Sequence, residues 1–172
     1  MDKAQKSVIQ ATCKQVITAL ERNNMTGYYV DTAAEVVDKV KQLIPEGATI
    51  AVGGSMTLEQ TGVMKLIRSG SYEFLDRYAP GLTPEQAREI FLKSFAADVY
   101  LSSVNAITLN GELYNVDGRS NRVASIAFGP ASVILVVGCN KIVKDIDEAI
   151  VRVKRVAAPA NAARLHCGTP RT

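Results

Sequence analysis

Histidine and cysteine are scarce in this chain, which has one histidine and three cysteines among its 172 residues. Cys13, Cys139 and Cys167 are widely spaced and include no C-x-x-C pair, so we expect no disulfide framework. No Cys/His cluster exists, and the sequence therefore predicts neither a metal site nor a bound cofactor. His166 lies beside Cys167, but adjacent residues rarely have the geometry that a catalytic pair needs.

Long apolar runs and blocks of basic residues are also missing. No run approaches the roughly 20 residues of a membrane helix, and residues 1–14 contain no signal-peptide core. The net charge of +3, without a Lys/Arg block, is too mild to indicate nucleic-acid binding. We therefore expect a cytoplasmic protein that uses neither a membrane nor a nucleic acid as a partner.

The composition is that of an ordinary globular protein, with 47% apolar and 22% charged residues. The length favours a single domain over residues 1–172. Helical patterns alternate with short apolar runs, and there is no internal repeat. This alternation predicts an α/β fold, a three-layer α/β/α sandwich with a mostly parallel sheet and one β-hairpin.

Apolar spacing predicts where the individual elements lie. Helices are expected over residues 3–22, 32–44 and 57–69, and from Asp145 to Pro159. Another helix is expected to start at Thr83, with Gln86 completing a capping box. Strands are expected over residues 26–31, 48–53, 72–77, 97–103 and 132–138. The last strand is the most apolar and is therefore expected at the centre of the sheet. Asn110-Gly111 is expected to close a hairpin over residues 107–116 through a type I′ turn.

The stretch VGGSMTLEQTG, residues 52–62, joins a buried strand to a helix. Gly53 and Gly54 let the backbone approach a ligand closely, and N–H groups near Ser55 and Thr57 favour an anion. The stretch lacks a Walker lysine and is not G-x-G-x-x-G. An ordinary strand–helix turn capped by Ser55 or Thr57 explains it equally well. Glu59 is either favourable in the first helical turn through the helix dipole or a reacting carboxylate.

A second polar stretch follows the hairpin and contains several groups that can hold a polar ligand. Asn115, Asp117 and Asn121 can bind polar atoms, and Arg122 can pair with an anion. The alternative is an Asx-turn at Asp117-Gly118 with Ser120 as a helix cap. Two amides, a carboxylate and an arginine around one glycine favour a site. Further candidate ligand-binding residues follow other strands: Ser103, Asn105, Lys141.

Ligands of open α/β sheets bind beyond the carboxyl ends of the strands, near a switch in strand order. We therefore expect residues 53–59 and 115–122 to face one pocket, with Asp117 and Glu59 as candidate catalytic carboxylates. Cys139 could be a reactive thiol, but the sequence offers no base partner for it. Lys141 could reach an anion or could be a solvated lysine in a turn.

Several segments together carry a family resemblance: GGSMTLEQTG (53–62), SSVNAITLNGELYNVDGRSNRVA (102–124), FGP (128–130), VVGCNKIV (136–143) and APANAARL (158–165). In this order, and over nearly the whole chain, they resemble the LUD domain family, the lactate-utilisation proteins. The resemblance implies a fold similar to the superfamily of ribose-phosphate isomerase, glucosamine-phosphate deaminase and the CoA-transferases. In that superfamily the turns corresponding to residues 53–59 and 115–122 line the site.

The resemblance also implies a context and possible partners. Bacterial members are associated with L-lactate oxidation alongside iron–sulfur proteins, which are therefore the expected protein partners. Many relatives continue past this point into a cysteine-rich tail, whereas this chain ends HCGTPRT. We accordingly expect no cluster bound by this chain. A homodimer is left open.

Three functions remain open from the sequence. The first is a role in lactate or related carboxylate utilisation, with a small anionic metabolite bound at the strand ends. The second is an enzyme that acts on a sugar phosphate or an acyl-CoA through carboxylates. The third is a non-catalytic module that senses a metabolite. Whether the chain is an enzyme is thus undecided at this point.

Overall fold

The computed structural model of the chain describes residues 2–166. Within these residues the chain forms two compact units, which are described separately. The first unit comprises residues 2–29, 104–116 and 138–166, and the second comprises residues 30–103 and 117–137. Cys167 and the rest of the C-terminal segment, on which the expectation of an absent tail rests, lie outside the described residues.

The helices and strands are interleaved along the described chain. The helices are α1 (Lys3–Arg22), α2 (Ala33–Leu43), α3 (Met56–Gln60), α4 (Val63–Ile67), α5 (Pro84–Lys93), α6 (Asn121–Ala127), α7 (Ile146–Arg152) and α8 (Ala158–Arg164). The strands are β1 (Thr49–Val52), β2 (Glu73–Phe74), β3 (Val99–Ser102), β4 (Ala106–Thr108), β5 (Leu113–Tyr114), β6 (Ser132–Leu135) and β7 (Ile142–Val143).

The second unit is built on a four-stranded parallel sheet with the order β2-β1-β3-β6. Ile50, Ala51 and Val52 of β1 pair with Val99, Tyr100 and Leu101 of β3. The chain runs outward from β1 to β2, then crosses back to β3 and continues to β6. The switch in strand order therefore lies between β1 and β3.

Side chains alternate between the two faces of this sheet, as the pleat of a strand requires. Ile50, Val52 and Leu101 pack with α2, α3 and α4 on one face. Ala51 and Tyr100 pack on the other face, against Ile126 of α6. Helices thus cover both faces, and the predicted α/β/α layering is confirmed within this unit.

The predicted centre of the sheet is wrong. β1 lies inside the sheet as expected, but β6, from the most apolar stretch, is an edge strand. The apolar side chains of β6 pack on both faces of the sheet, since Ile134 joins the cluster on one face and Val133 joins the cluster on the other. An apolar run indicates that both faces of a strand are covered, and it does not require a strand on each side.

The first unit contains a three-stranded mixed sheet with the order β5-β4-β7. The β4–β5 pair is antiparallel, which confirms the hairpin, whereas β4 and β7 are parallel. The Gly111 N–H donates to the Thr108 carbonyl (3.0 Å), and the Thr108 N–H donates to the Glu112 carbonyl (3.0 Å). Gly111 has a φ of +85° but Asn110 does not have a positive φ, so the type I′ prediction is wrong. The pattern fits a type I turn followed by a glycine bulge.

The last helix starts as predicted and ends later. Asp145 caps α7 by accepting the Glu148 N–H (3.0 Å). A π-helical turn, Val153–Ala157, then connects α7 directly to α8, which contains Pro159. Pro159 therefore does not end the helix; it occupies a first-turn position of α8, directly after the π-helical turn.

Other predicted boundaries are also corrected. Residues 26–31 form no strand, and Gly27 instead lies so close to Ile17 of α1 that a Cβ would be 2.9 Å from its side chain. The helix expected over residues 57–69 is broken into α3 and α4 at Gly62, whose φ is +83°. The strand expected over residues 72–77 shortens to β2. The Thr83–Gln86 capping box is confirmed.

No helix within residues 2–166 combines the length and the apolar character needed to cross a bilayer.

Candidate functional site

The carboxyl ends of β1 and β3 meet at the switch in strand order. Gly53 follows β1 directly, and its N–H donates to the Leu101 carbonyl of β3 (2.9 Å). Ser103 follows β3 directly and is buried. In open α/β sheets this crevice is the usual position of a ligand. Gly53 and Ser103, two of the predicted site residues, therefore lie where the topology favours binding.

Arg122 fills this crevice, and the absence of a side chain at Gly53 makes its position possible. A Cβ on Gly53 would lie 2.8 Å from Cγ of Arg122 and 2.5 Å from Oγ of Ser102. Real Cβ atoms do not approach other atoms so closely, so the Arg122 stem crosses the end of β1 only because residue 53 is glycine. The crevice thus brings Gly53, Ser103 and Arg122 together.

Asp117 is the anionic partner of Arg122. Its Oδ1 accepts a hydrogen bond from Nε of Arg122 (2.8 Å). The same oxygen lies 2.8 Å from Nη2 of Arg122. Nη1 of Arg122 donates to the Ser103 carbonyl (2.7 Å). The two side chains are only 11% and 9% exposed. The pair is therefore a buried, charge-assisted contact that ties the loop before α6 to the end of β3.

Asp117 also caps α6, a role that the sequence analysis gave to Ser120 only in its alternative interpretation. Its Oδ2 accepts the N–H of Val123 (2.8 Å), the third residue of the helix. Ser120 makes no capping hydrogen bond and has a φ of +60°. The polar turn is thus organised by Asp117 and Arg122, while Gly118 is exposed with open space around it.

Tyr100 and Ser125 belong to the same region, although the sequence analysis missed both. Tyr100 is 1% exposed on β3 and its hydroxyl is hydrogen bonded to Ser125 of α6. Burial raises the pKa of the Tyr100 phenol, against the opposing effects of Arg77 and of the Ser125 hydrogen bond. The alternation of β3 could have indicated Tyr100, since its neighbours Val99 and Leu101 point to the other face.

The turn after Gly53 offers donors beside the crevice. Oγ of Ser55 caps α3 by accepting the N–H of Leu58 (3.4 Å). Within residues 2–166, the N–H groups of Gly54, Ser55 and Met56 have no hydrogen-bond acceptor. Glu59, by contrast, is exposed. The hydrogen bond to Asp76 raises the pKa of the Arg68 guanidinium against the opposing effect of burial, and the charge of Glu59 adds a smaller increase.

A model of the LUD domain family matches residues 13–172 of the chain. The chain belongs to the LUD domain family. This match extends over the strand ends, the Asp117–Arg122 loop and the C-terminal helices. Membership supports a role related to lactate utilisation in general terms. No curated protein and no solved structure matches the chain significantly.

Three predicted binding residues of this LUD domain lie in the first unit. Oδ1 of Asn105 accepts the Val116 N–H (2.9 Å), which fixes the segment directly after β5. Nδ2 of Asn115 donates to the Leu113 carbonyl (3.4 Å). Lys141 lies in a 3₁₀ turn, where its N–H donates to the Gly138 carbonyl (2.9 Å). The two amides therefore have local structural contacts.

Arg152 is a further cation in the first unit that the sequence analysis did not single out as a site residue. Its Nη1 donates to the Asn105 carbonyl, and its Nε donates to the Asn140 carbonyl (3.2 Å). Burial lowers the pKa of this guanidinium. Arg152 thus holds two turns of the LUD domain through their backbone oxygens.

Asn121 and Thr57, the remaining predicted binding residues, lie in helices of the second unit. Asn121 is the first residue of α6, and its carbonyl accepts the Ser125 hydroxyl (3.1 Å). Thr57 is half-buried in α3. In the described part of this LUD domain, no three His, Cys, Asp or Glu side chains are grouped so that they could hold a metal ion.

Proposed function

We propose that this LUD domain acts in the utilisation of lactate or a related carboxylate by binding a small anionic metabolite at the carboxyl ends of β1 and β3. The observation that carries the proposal is the placement of Arg122 over Gly53, at the switch in strand order. The Arg122 stem crosses Gly53, and its guanidinium, held by Asp117 and the Ser103 carbonyl, lies beside the position where open sheets bind ligands. Family membership supports the substrate class.

The adjoining turn supplies the other half of the proposed site. The N–H groups of Gly54, Ser55 and Met56 are donors suited to a carboxylate or phosphate oxygen. The hydroxyls of Ser55 and Thr57 are close in sequence to those donors and can bind a hydroxyl such as that of a 2-hydroxy acid. In this proposal Asp117 keeps Arg122 in place and lowers the net charge of the crevice when no anion is bound.

The contacts of Asp117 favour binding over acid–base chemistry. Three donors from Arg122 and Val123 engage both carboxylate oxygens, so abstraction of a proton would require those bonds to break. The alternative of an enzyme acting on a sugar phosphate or an acyl-CoA therefore depends mainly on Glu59, which is exposed on the first turn of α3. A sensing module would use the same site without Glu59. Iron–sulfur partner proteins follow from the resemblance alone.

Calorimetric titration with L-lactate, pyruvate and inorganic phosphate tests the proposal. We expect at least one carboxylate to bind the wild type, and Ser55→Ala to weaken that binding by about ten-fold, the effect of one lost hydrogen bond. Thr83→Ala is the matched control. Thr83 caps α5 as Ser55 caps α3, so both variants lose a helix cap.

The control separates a loss of stability from a loss of binding. Both variants should lose about 1 kcal/mol of unfolding free energy, but only Ser55→Ala should bind more weakly. If none of the three ligands binds the wild type, or if the two variants bind equally well, the proposed site is wrong.

A further inference from the structure

Phe128 is the most exposed large apolar side chain that the structure describes. It directly follows α6 and is 84% exposed. The next residue, Gly129, has a φ of +118°, and a Cβ there would lie 2.7 Å from the Phe95 carbonyl oxygen. The backbone at Gly129 therefore packs directly against Phe95, and the Phe128 ring lies on the solvent side.

An open pocket of about 390 Å³ lies at the amino ends of β1, β3 and β6. It is lined by Leu43, Pro45, Glu46, Gly47, Ala48, Asp98, Val99, Ala131 and Ser132. Ala48 and Val99 are buried and form an apolar floor, whereas Glu46 and Asp98 are exposed. A cavity of about 150 Å³ can hold a benzene ring, so the pocket has room for an aromatic side chain.

The exposed ring and the pocket lie on the same edge of the second unit. Ala131 and Ser132 line the pocket only a few residues after Phe128. Their N–H groups donate to the carbonyls of Ala97 and Asp98 (3.1 and 3.0 Å), which fixes this segment at the amino end of β3. Because Phe128 itself is almost fully exposed, it does not fill the pocket of its own chain.

We propose that this edge is a homodimer interface in which Phe128 of each copy inserts into the amino-end pocket of the other. A two-fold axis pairs the same surface with itself, so a protruding group must meet a complementary hollow on the same face. Phe128 and the pocket are adjacent and meet this condition. A buried aromatic anchor in a pocket is the usual energetic centre of an interface.

The charges around the two features are complementary and favour a second copy as the occupant. Glu46 and Asp98 at the pocket form no ion pair among the described residues. Lys93 ends α5 two residues before Phe95, which packs against Gly129, and it too has no ion pair within residues 2–166. In the dimer, Lys93 of one copy approaches Glu46 of the other.

Sedimentation over a range of concentrations measures the dimer directly. We expect the wild type to dimerise and Phe128→Ser to raise the dissociation constant roughly thirty-fold, as truncation of an anchor residue does. Val8→Ser is the matched control, because Val8 is 66% exposed on α1 of the other unit. A wild type that stays monomeric, or a Phe128→Ser variant that dimerises like Val8→Ser, would overturn the proposal.

A charge exchange tests the orientation of the two copies. Glu46→Lys and Lys93→Glu should each weaken the dimer, and the double variant should recover most of the wild-type affinity because the opposite charges face each other again. Both residues are exposed, so the fold should be retained. If the losses of dimer affinity in the two single variants simply add in the double variant, these side chains do not meet and the proposed orientation is wrong.

Discussion

At the carboxyl ends of β1 and β3 the charged side chains are buried and paired, whereas at the amino ends of the same strands they border an open pocket. Arg122 and Asp117 are about one-tenth exposed and share several short hydrogen bonds. Glu46 and Asp98 are exposed, and Oδ2 of Asp98 accepts the Thr49 N–H (2.8 Å). One sheet thus carries two very different electrostatic environments.

This difference separates groups that the fold needs from groups that are available to a partner. Burial makes the interaction of opposite charges strong and also makes the loss of either partner costly. Exposed carboxylates contribute little to stability. The carboxyl end therefore combines a stabilising buried ion pair with the proposed ligand site. At the amino end, the exposed charged side chains should be replaceable without unfolding the protein.

The largest effect is expected when the buried pair is broken. Asp117→Ala leaves the Arg122 guanidinium buried without its carboxylate and removes the cap of α6, so we expect a loss of about 3–5 kcal/mol in unfolding free energy. Urea denaturation measures it. Asp98→Ala is the amino-end control and should cost about 1 kcal/mol, the value of its single hydrogen bond.

The same comparison includes a double variant. Asp117→Asn with Arg122→Met removes both charges and should be more stable than Asp117→Ala alone, since no uncompensated charge is then buried. Equal losses for Asp117→Ala and Asp98→Ala would show that the two ends do not differ in the way described here.

A smaller effect is expected from a methyl group at the carboxyl end. Gly53→Ala places a Cβ against Ser102 and Arg122, which must move, and we expect a loss of about 1–3 kcal/mol, typical of an overpacked site. Gly118→Ala is the control, because no atom lies within 4 Å of its added Cβ. It should change stability by less than about 0.5 kcal/mol in denaturant unfolding. A neutral Gly53→Ala would mean that Arg122 does not need to cross the strand end.

The smallest effect concerns Tyr100, beneath the carboxyl-end pair. Its pKa in the folded protein is raised above the usual 10.0, mainly by burial. The stability that Tyr100 provides is therefore present below pH 10 and is lost as the pH rises, because the unfolded chain ionises first. Between about pH 9 and about pH 11 the wild type should lose more unfolding free energy than Tyr100→Phe. Parallel pH profiles for the two proteins would contradict this assignment.

The fold could be predicted from local signals where those signals were strong. The capping box at Thr83, the long apolar stripe of α1 and the buried run of β1 were all correctly placed. The failures have different physical causes. Gly62 breaks a helix through its backbone conformation, and a π-helical turn joins α7 to a further helix that contains Pro159. Neither outcome is visible in apolar periodicity, which reports only which face is buried.

The two segments of the candidate site could be selected from the sequence, but their contacts could not. The glycine turn and the Asp-Gly loop could be selected because both are polar segments at strand ends. Their contacts could not be selected, because Asp117 can cap a helix, bind a ligand or pair with an arginine, and all three are compatible with the same residue spacing. Tyr100 was overlooked since an aromatic residue in an apolar strand is normally core.

The sequence by itself determined the alternation of helices and strands, the parallel character of the main sheet and the family. These properties depend on periodicity and on ordered motifs, both of which are local along the chain. Only the tertiary structure decided that β6 lies at an edge, that Asp117 caps α6 and that Arg122 crosses Gly53. The first and the last depend on atoms far apart in sequence, whose approach is set by the packing of whole elements and not by any local preference. The capping contact spans only six residues and depends on the conformation of the turn between Asp117 and Val123.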